Sequence, residues 1–211
     1  MRLMRLVLAS NNAKKLAELR AMLAGHAVEL VAQGELGVAE ADEPHQTFIE
    51  NALAKARHAA AATHGAALAD DSGVCVDALG GAPGVISAHY AGEVPDLADR
   101  EARRRLQDAA NNARLLVDLA EVSDRSATFV STLVAVRHAH DPQPLVAVGR
   151  WSGRILSAPQ GEQGFGYDPL MFIPELGRTV AEMDAALKNQ HSHRARAMVQ
   201  MRDLLSQVWS L

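Results

Sequence analysis

Asp70-Asp71-Ser72-Gly73 closes the apolar run Ala66-Ala67-Leu68-Ala69. Adjacent like charges raise each other's proton affinity, and a hard divalent cation relieves that repulsion. Mg²⁺ takes one or two carboxylates and completes its shell with water and substrate phosphate. Asp, Ser and Gly are equally the residues of a solvated turn. The segment alone supports a metal site and a turn about equally.

Five further groups bear on that choice. Ser10-Asn11-Asn12-Ala13-Lys14-Lys15 stands where a strand gives way to a helix. Unpaired backbone N–H groups and the positive end of the helix dipole make such a corner an anion site, or else a simple N-cap followed by solvated lysines. The glycines and Gly-Lys-Ser/Thr ending of a Walker A loop are missing. Lys55 lies two turns into a later helix, where it can reach the Asp70-Asp71 segment or extend to solvent. Asp42 and Glu43 precede that helix as candidate further ligands. Gly164-Phe165-Gly166-Tyr167-Asp168-Pro169 holds one of only four Phe and one of only two Tyr between glycines. Phe165 offers a flat apolar face for a base, Gly166 admits a close backbone approach, and Tyr167 and Asp168 can hydrogen-bond a base edge. The competing reading is a loop anchored by a packed Phe165. Finally, Lys188-Asn189-Gln190-His191-Ser192-His193-Arg194 gathers cations near a helix start, with Ser192 as its cap. Cations there oppose the helix dipole unless an anion accompanies them. A zinc site on His191 and His193 lacks a third ligand at metalloenzyme spacing, and His138 and His140 read as exposed beside a turn.

The elements that must position these groups alternate along the chain. Arg5–Ala9 reads as a buried strand, followed by a helix with Leu16, Leu19 and Leu23 at helical spacing and a stop at Gly25. Val28–Ala32 reads as a second strand. Thr47-Phe48-Ile49-Glu50 opens an alanine-rich helix as a capping box, ending near His64 with Gly65 as the stop. Ala66–Ala69 is a third strand, with Val74-Cys75-Val76 resuming beyond the Asp-Asp-Ser-Gly segment. Leu79–Val85 is a glycine-rich loop, and Asp99 to about Glu121 is a charged helix. Thr128–His138 and Leu145–Leu156 form a hairpin around Asp141-Pro142-Gln143-Pro144. Gly161–Asp168 is a second glycine-rich loop, and helix is expected from about Thr179 to the end. This alternation predicts an α/β fold around a mixed sheet.

The chain has 211 residues, 48% of them hydrophobic, enough for one medium domain or two small lobes. A net charge of −4 argues against a nucleic-acid partner, so any phosphate site must concentrate its cations locally. Cys75 is the single cysteine, which excludes an internal disulfide and a cysteine-rich zinc site. No apolar stretch reaches the roughly 20 residues of a membrane span. The first residues, Met1 to Arg5, lead directly into a strand without a signal core, and a cytoplasmic location is the expectation. Two helix-start anion sites, a carboxylate metal site and an aromatic loop together describe a nucleoside triphosphate pocket.

Six stretches, in order, carry a resemblance that spans nearly the whole chain. They are Leu8–Lys15, Thr47–Ala52, Ala69–Gly73, Gly80–Gly84, Gly164–Pro169 and Ser192-His193-Arg194. In them the chain resembles the non-canonical purine NTP pyrophosphatases, the inosine triphosphate/xanthosine triphosphate house-cleaning enzymes. The resemblance implies an elongated, two-lobed, mixed-sheet α/β fold of the inosine triphosphate pyrophosphatase type. Residues 1–211 would form one pyrophosphatase domain with its active site in the cleft between the lobes, usually as a homodimer. It also implies Mg²⁺-dependent hydrolysis of ITP, dITP and XTP to the monophosphate and pyrophosphate. Asp71 would then be the catalytic base and a metal ligand, supported by Asp70, and Glu43 the other metal ligand, with Asp42 as its neighbour in register. Ser10, Asn11, Asn12, Ala13, Lys14, Lys15, Lys55, Ser72 and Lys188 would hold the triphosphate. Phe165 would stack on the base, with Gly166, Tyr167, Asp168, His193 and Arg194 around it. The first loop departs from the family in reading Ser-Asn-Asn where many relatives have Thr-Gly-Asn, and His191 replaces a commonly apolar residue. The competing functions are a pyrophosphatase for modified pyrimidine or methylated NTPs and a non-hydrolytic nucleotide-binding regulator.

Overall fold

Apolar residues at both odd and even positions of the early strands demand cover on both faces of a sheet. A computed structural model, describing residues 3–211, has that arrangement. Met1 and Arg2, at the head of the expected lead-in, lie outside the described residues. Strands β1 (Met4–Leu8), β2 (Val28–Ala32), β3 (Ala67–Val76), β4 (Ser126–Val136), β5 (Leu145–Ile155), β6 (Met171–Ile173) and β7 (Arg178–Thr179) form one sheet in the order β2-β1-β3-β4-β5-β6-β7. Helices α1 (Ala13–Met22), α2 (Phe48–Thr63), α3 (Arg100–Asp118), α4 (Ala185–His191) and α5 (His193–Trp209) complete the regular structure. The chain divides into two compact units.

The first unit comprises the stretch to Asp71, Ser131–Gly149 and Ser192–Leu211. Here β1 pairs in parallel with β2, Leu6 opposite Leu30, and with β3, Leu8 opposite Leu68. Side chains alternate along a strand, so the sheet sorts its residues into two cores. Leu6, Leu8, Leu30, Leu68, Leu133 and Ala135 pack with Leu19 of α1 and with Ala197, Met198, Met201 and Leu205 of α5. Val7, Ala67, Ala69, Val134 and Val136 pack on the opposite face with Ala52, Ala56, Ala59 and Ala60 of α2. The alanines of α2 let that helix lie close to the sheet. Gly149 does the same for α5, since a Cβ there would stand 1.9 Å from the His193 carbonyl oxygen and 2.6 Å from the Ala197 nitrogen.

The second unit comprises Ser72–Val130 and Arg150–His191. Its core joins Val74, Val76, Leu115, Leu119, Phe129, Trp151, Ile155, Leu170, Met171 and Ile173. Strands β5 and β6 pair antiparallel, Ile155 opposite Met171, as do β6 and β7, Phe172 opposite Thr179. The glycine-rich segment after β3 turns back on the strand, where Cys75 bridges to Pro83. A Cβ at Gly73 would meet the Gly84 oxygen and the Ser87 hydroxyl at 2.4 Å, so only glycine fits that crossing.

Several expectations need correction. Asp70-Asp71-Ser72-Gly73 is no turn: β3 runs through it to Val76 without a break. Flanking apolar residues on both sides let the ladder continue where local propensity favoured a bend. Helix α2 stops with His64 in the left-handed conformation (φ 50°), one residue before the expected Gly65. Its capping box forms in modified shape: Thr47 Oγ1 accepts from the Glu50 N–H at 3.3 Å and donates to the Glu50 carboxylate at 2.7 Å. The chain after Thr179 is not one helix. Residues Arg178–Thr179 form β7, Val180–Glu182 a 3₁₀ turn, and Ser192 separates α4 from α5.

Because two backbone atoms of α5 face Gly149, Gly149→Ala should destabilise the protein by about 1–3 kcal/mol, the usual range for overpacking. Urea unfolding followed by circular dichroism checks this; an unchanged midpoint would show that α5 can shift without cost.

Candidate active site

Alternation in β3 decides where the two central carboxylates go. Asp70 shares the face of Leu68, toward α1 and α5, and Asp71 shares the face of Ala69, toward α2. The neighbours in sequence therefore sit in separate charge clusters.

Asp70 is 1% exposed. Its Oδ2 accepts from Arg194 Nε at 2.8 Å and faces Lys15 Nζ at 3.3 Å, and its Oδ1 accepts from the Ser131 hydroxyl at 2.9 Å. Arg194 Nη1 also pairs with Glu18. Burial alone would push the Asp70 carboxyl up, but Arg194 and Lys15 reverse this and hold it well below the usual carboxylate range. Burial outweighs Asp70 at Lys15 and lowers its ammonium pKa. Arg194 at the start of α5 thus has its anion, and it is internal. Ser192 caps the helix, its Oγ accepting from the Ala195 N–H at 3.1 Å, and His193 is buried beside Arg194.

On the other face, Lys55 Nζ lies 2.8 Å from both Asp71 Oδ1 and Glu43 Oε2, and 3.3 Å from the Asp70 carbonyl oxygen. Glu43, and not the exposed Asp42, makes this contact. Burial drives the Asp71 carboxyl up to about 6, with Lys55 opposing and the Glu43 carboxylate adding to the rise. Glu43 moves the other way, since Lys55 overcomes its burial. Asp71 Oδ2 is buried and receives no hydrogen bond among the described residues. Two hard oxygen donors with one buried oxygen open suit a divalent cation such as Mg²⁺, which takes its remaining ligands from water and phosphate. No cluster of three or more His, Cys, Asp or Glu able to hold a metal exists among the described residues, so the His-x-His zinc reading gains no support.

The expected anion corner is partly spoken for. Asn12 caps α1, its Oδ1 accepting from the Lys14 and Lys15 N–H groups at 3.0 and 3.2 Å, and Ser10 Oγ accepts from the Asn12 N–H at 3.1 Å. Asn11 packs over Gly34, where a Cβ would strike its side-chain oxygen. Ala13 is exposed, Lys14 is partly exposed, and Ser72 is half-buried in β3.

In the second unit, the aromatic loop is clamped by its own neighbours. Gly164 and Gly166 adopt positive φ (77° and 63°), and Asp168 Oδ2 closes the loop by accepting from the Phe165 N–H at 3.0 Å. Asp108 Oδ2 accepts from the Gly166 N–H at 2.8 Å, and Asn112 Nδ2 donates to the Gly166 oxygen at 2.9 Å. Lys188 Nζ is 2.7 Å from Asp168 Oδ2 and 4.6 Å from the centre of the Phe165 ring. The Tyr167 hydroxyl donates to the Ser87 carbonyl at 2.8 Å, and burial raises its pKa above the ordinary phenol value. Tyr167 and Asp168, expected to hydrogen-bond a ligand, are therefore held by the loop's own framework. Lys188 joins the aromatic loop, and Arg194 joins the Asp70 cluster.

Sequence reasoning missed Glu18, Ser131, Ser87, Asp108 and Asn112. Asp108 and Asn112 had a local signal, a polar pair at i and i+4 on one face of α3. Lys15 and Glu18 likewise share a face of α1 at i and i+3. Ser131 and Ser87 carried none.

A profile of the Ham1 family matches residues 6–204. A curated protein of Methylibium petroleiphilum, named dITP/XTP pyrophosphatase, is 67% identical over 98% of this chain and 99% of its own length. A dITP/XTP pyrophosphatase of Leptothrix cholodnii is 63% identical over 99% and 100%. Among solved structures, a HAM1 protein from Coxiella burnetii matches with a TM-score of 0.86 and 40% identity, covering 97% of this chain and all of that one.

Asp70→Asn should destabilise the protein by roughly 3–5 kcal/mol at pH 7, because Lys15 loses its carboxylate and the buried Arg194 keeps only Glu18. The Asp70 pKa is depressed on folding, so its contribution is complete above the unfolded value of about 3.9 and is lost as pH falls below it. Urea unfolding of both proteins should give a constant difference at neutral pH and a narrowing one below about pH 4. A gap that stayed constant down to pH 2 would contradict the ion-pair account.

Proposed function

The chain belongs to the Ham1 family, and from that premise we propose that it is a Mg²⁺-dependent pyrophosphatase for non-canonical purine nucleoside triphosphates. Its substrates are dITP, ITP and XTP, its products the monophosphate and pyrophosphate. The observation that carries this reading is the Asp71–Lys55–Glu43 cluster, a raised carboxyl bridged by an ammonium to a second carboxylate. Full-length relatives named dITP/XTP pyrophosphatase, 67% and 63% identical, supply the substrate class.

Asp71, with a pKa near 6, orients the attacking water and takes its proton as the water approaches the α-phosphorus. Glu43 and Asp71 hold the divalent ion, which supplies charge neutralisation on the phosphates. Lys55 and Lys14 add positive charge for the leaving pyrophosphate, and Ser10, Asn11, Asn12, Ala13 and Ser72 line its approach. Asp70 takes no proton: Arg194 and Lys15 keep it ionised as a support for the strand and for α5. Phe165 stacks on the base. The Lys188 ammonium beside it is a donor for the 6-oxo group of hypoxanthine or xanthine, and adenine offers a donor at that position instead. His193 borders this machinery through its position next to Arg194.

The whole chain acts as one pyrophosphatase domain, works as a homodimer in the cytoplasm and takes neither nucleic acid nor membrane as partner. The net charge of −4 supports the former exclusion. No helix among the described residues is long and apolar enough to cross a membrane.

Pyrophosphate release from dITP, XTP and ITP in Mg²⁺, set against ATP, dUTP and methylated NTPs, tests the proposal. Asp71→Asn should lower kcat by a factor on the order of 10² or more with nucleotide affinity largely kept. Near-normal turnover in that variant, or orthophosphate as the product, would sink the assignment. Phe165→Ala should raise KM by roughly 5- to 100-fold, the range for loss of a base-stacking ring; an unchanged KM would remove Phe165 from the base site.

A further inference from the structure

The Lys55 ammonium stands on the two carboxylates that the proposed reading gives to the metal. Its Nζ is 2.8 Å from Glu43 Oε2 and 2.8 Å from Asp71 Oδ1, and its side chain, like that of Asp71, is nine-tenths buried or more. The oxygen left open for a cation, Asp71 Oδ2, belongs to the same carboxylate that Lys55 already holds. A divalent ion and an ammonium sharing one buried anion repel each other strongly, because little water screens them.

We infer that Lys55 is a built-in counter-ion that competes with the metal for Glu43 and Asp71, so that metal and polyphosphate bind cooperatively. This rests on the assignment of Glu43 and Asp71 as metal ligands. Without nucleotide, Lys55 offsets part of the charge of the two carboxylates and keeps the free divalent ion weakly bound. A triphosphate gives the ammonium a new anionic partner, which releases the carboxylates to the metal. Coupling of this kind is reciprocal: the phosphate tightens the metal as much as the metal tightens the phosphate. The ammonium also has a resting place in reach, since the Asp70 carbonyl oxygen is 3.3 Å away.

Mn²⁺ binding to the full chain, read by electron paramagnetic resonance of the free ion, tests this without turnover. Wild type should bind Mn²⁺ alone at least about 10-fold more weakly than in the presence of saturating α,β-methylene-ITP, within the usual range of coupling. Lys55→Met should bind Mn²⁺ alone about 10-fold more tightly than wild type and lose most of the analogue's effect, whereas Lys55→Arg should keep the weak wild-type binding. Wild type that binds Mn²⁺ equally with and without the analogue overturns the proposal, whether or not Lys55→Met folds. So does a folded Lys55→Met with unchanged or weaker Mn²⁺ affinity. Absence of pyrophosphate release from dITP would instead overturn the function and leave this measurement standing.

Discussion

The two-residue period of a single strand governs this protein's chemistry. β3 carries Asp70 and Asp71 in succession, and the pleat sends one carboxylate to each face of the sheet. A turn at this point would have left the two side by side, each raising the other's pKa. Separated by the sheet, they take opposite characters. Asp70 is buried against Arg194, Lys15 and Ser131 and is held ionised. Asp71, buried against Lys55 with the more exposed Glu43 beside them, is held near the middle of the pH scale, where a carboxyl can exchange a proton. The helices follow from the same constraint: α1 and α5 bring the bases that Asp70 requires, and α2 brings the one that Asp71 requires.

Much of this was legible in the chain as local pattern. The strand at Val28–Ala32, the Thr47 cap, the Ser192 cap and the two glycine-rich loops each follow from residues within a turn of one another. What could not be read was which side chains meet across long separations. Arg194 and Asp70 are 124 residues apart, and Arg194 and Glu18 are 176 apart. Nothing local distinguishes an arginine that meets a substrate from one that meets an internal carboxylate. The turn reading of Asp-Asp-Ser-Gly failed for a related reason. Turn propensity is a local preference of under a few kcal/mol, and pairing within a buried sheet overrides it.

The aromatic loop shows a second way of building a site. Few of its contacts depend on the side chains that a ligand would meet. Main-chain groups of Phe165 and Gly166 are fixed by Asp168, Asp108 and Asn112, and Tyr167 is anchored through the Ser87 carbonyl. Asn111 holds Ser87 and Ala88 from the same helix that supplies Asp108 and Asn112. One polar face of α3 therefore sets the conformation of the loop, and the Lys188 ammonium stands over the ring of Phe165. A polar helix face that looks like a solvated surface in the sequence is the loop's scaffold.

The Asp70 cluster also shapes how this sequence can drift. Its two acids, Asp70 and Glu18, and two bases, Arg194 and Lys15, interlock from three separate elements. A change at any one position strands a charge in the interior, so neutral variation must arrive as paired replacements in distant parts of the gene. Such positions should co-vary across related sequences as a block, with Asp70 and Arg194 changing together or not at all.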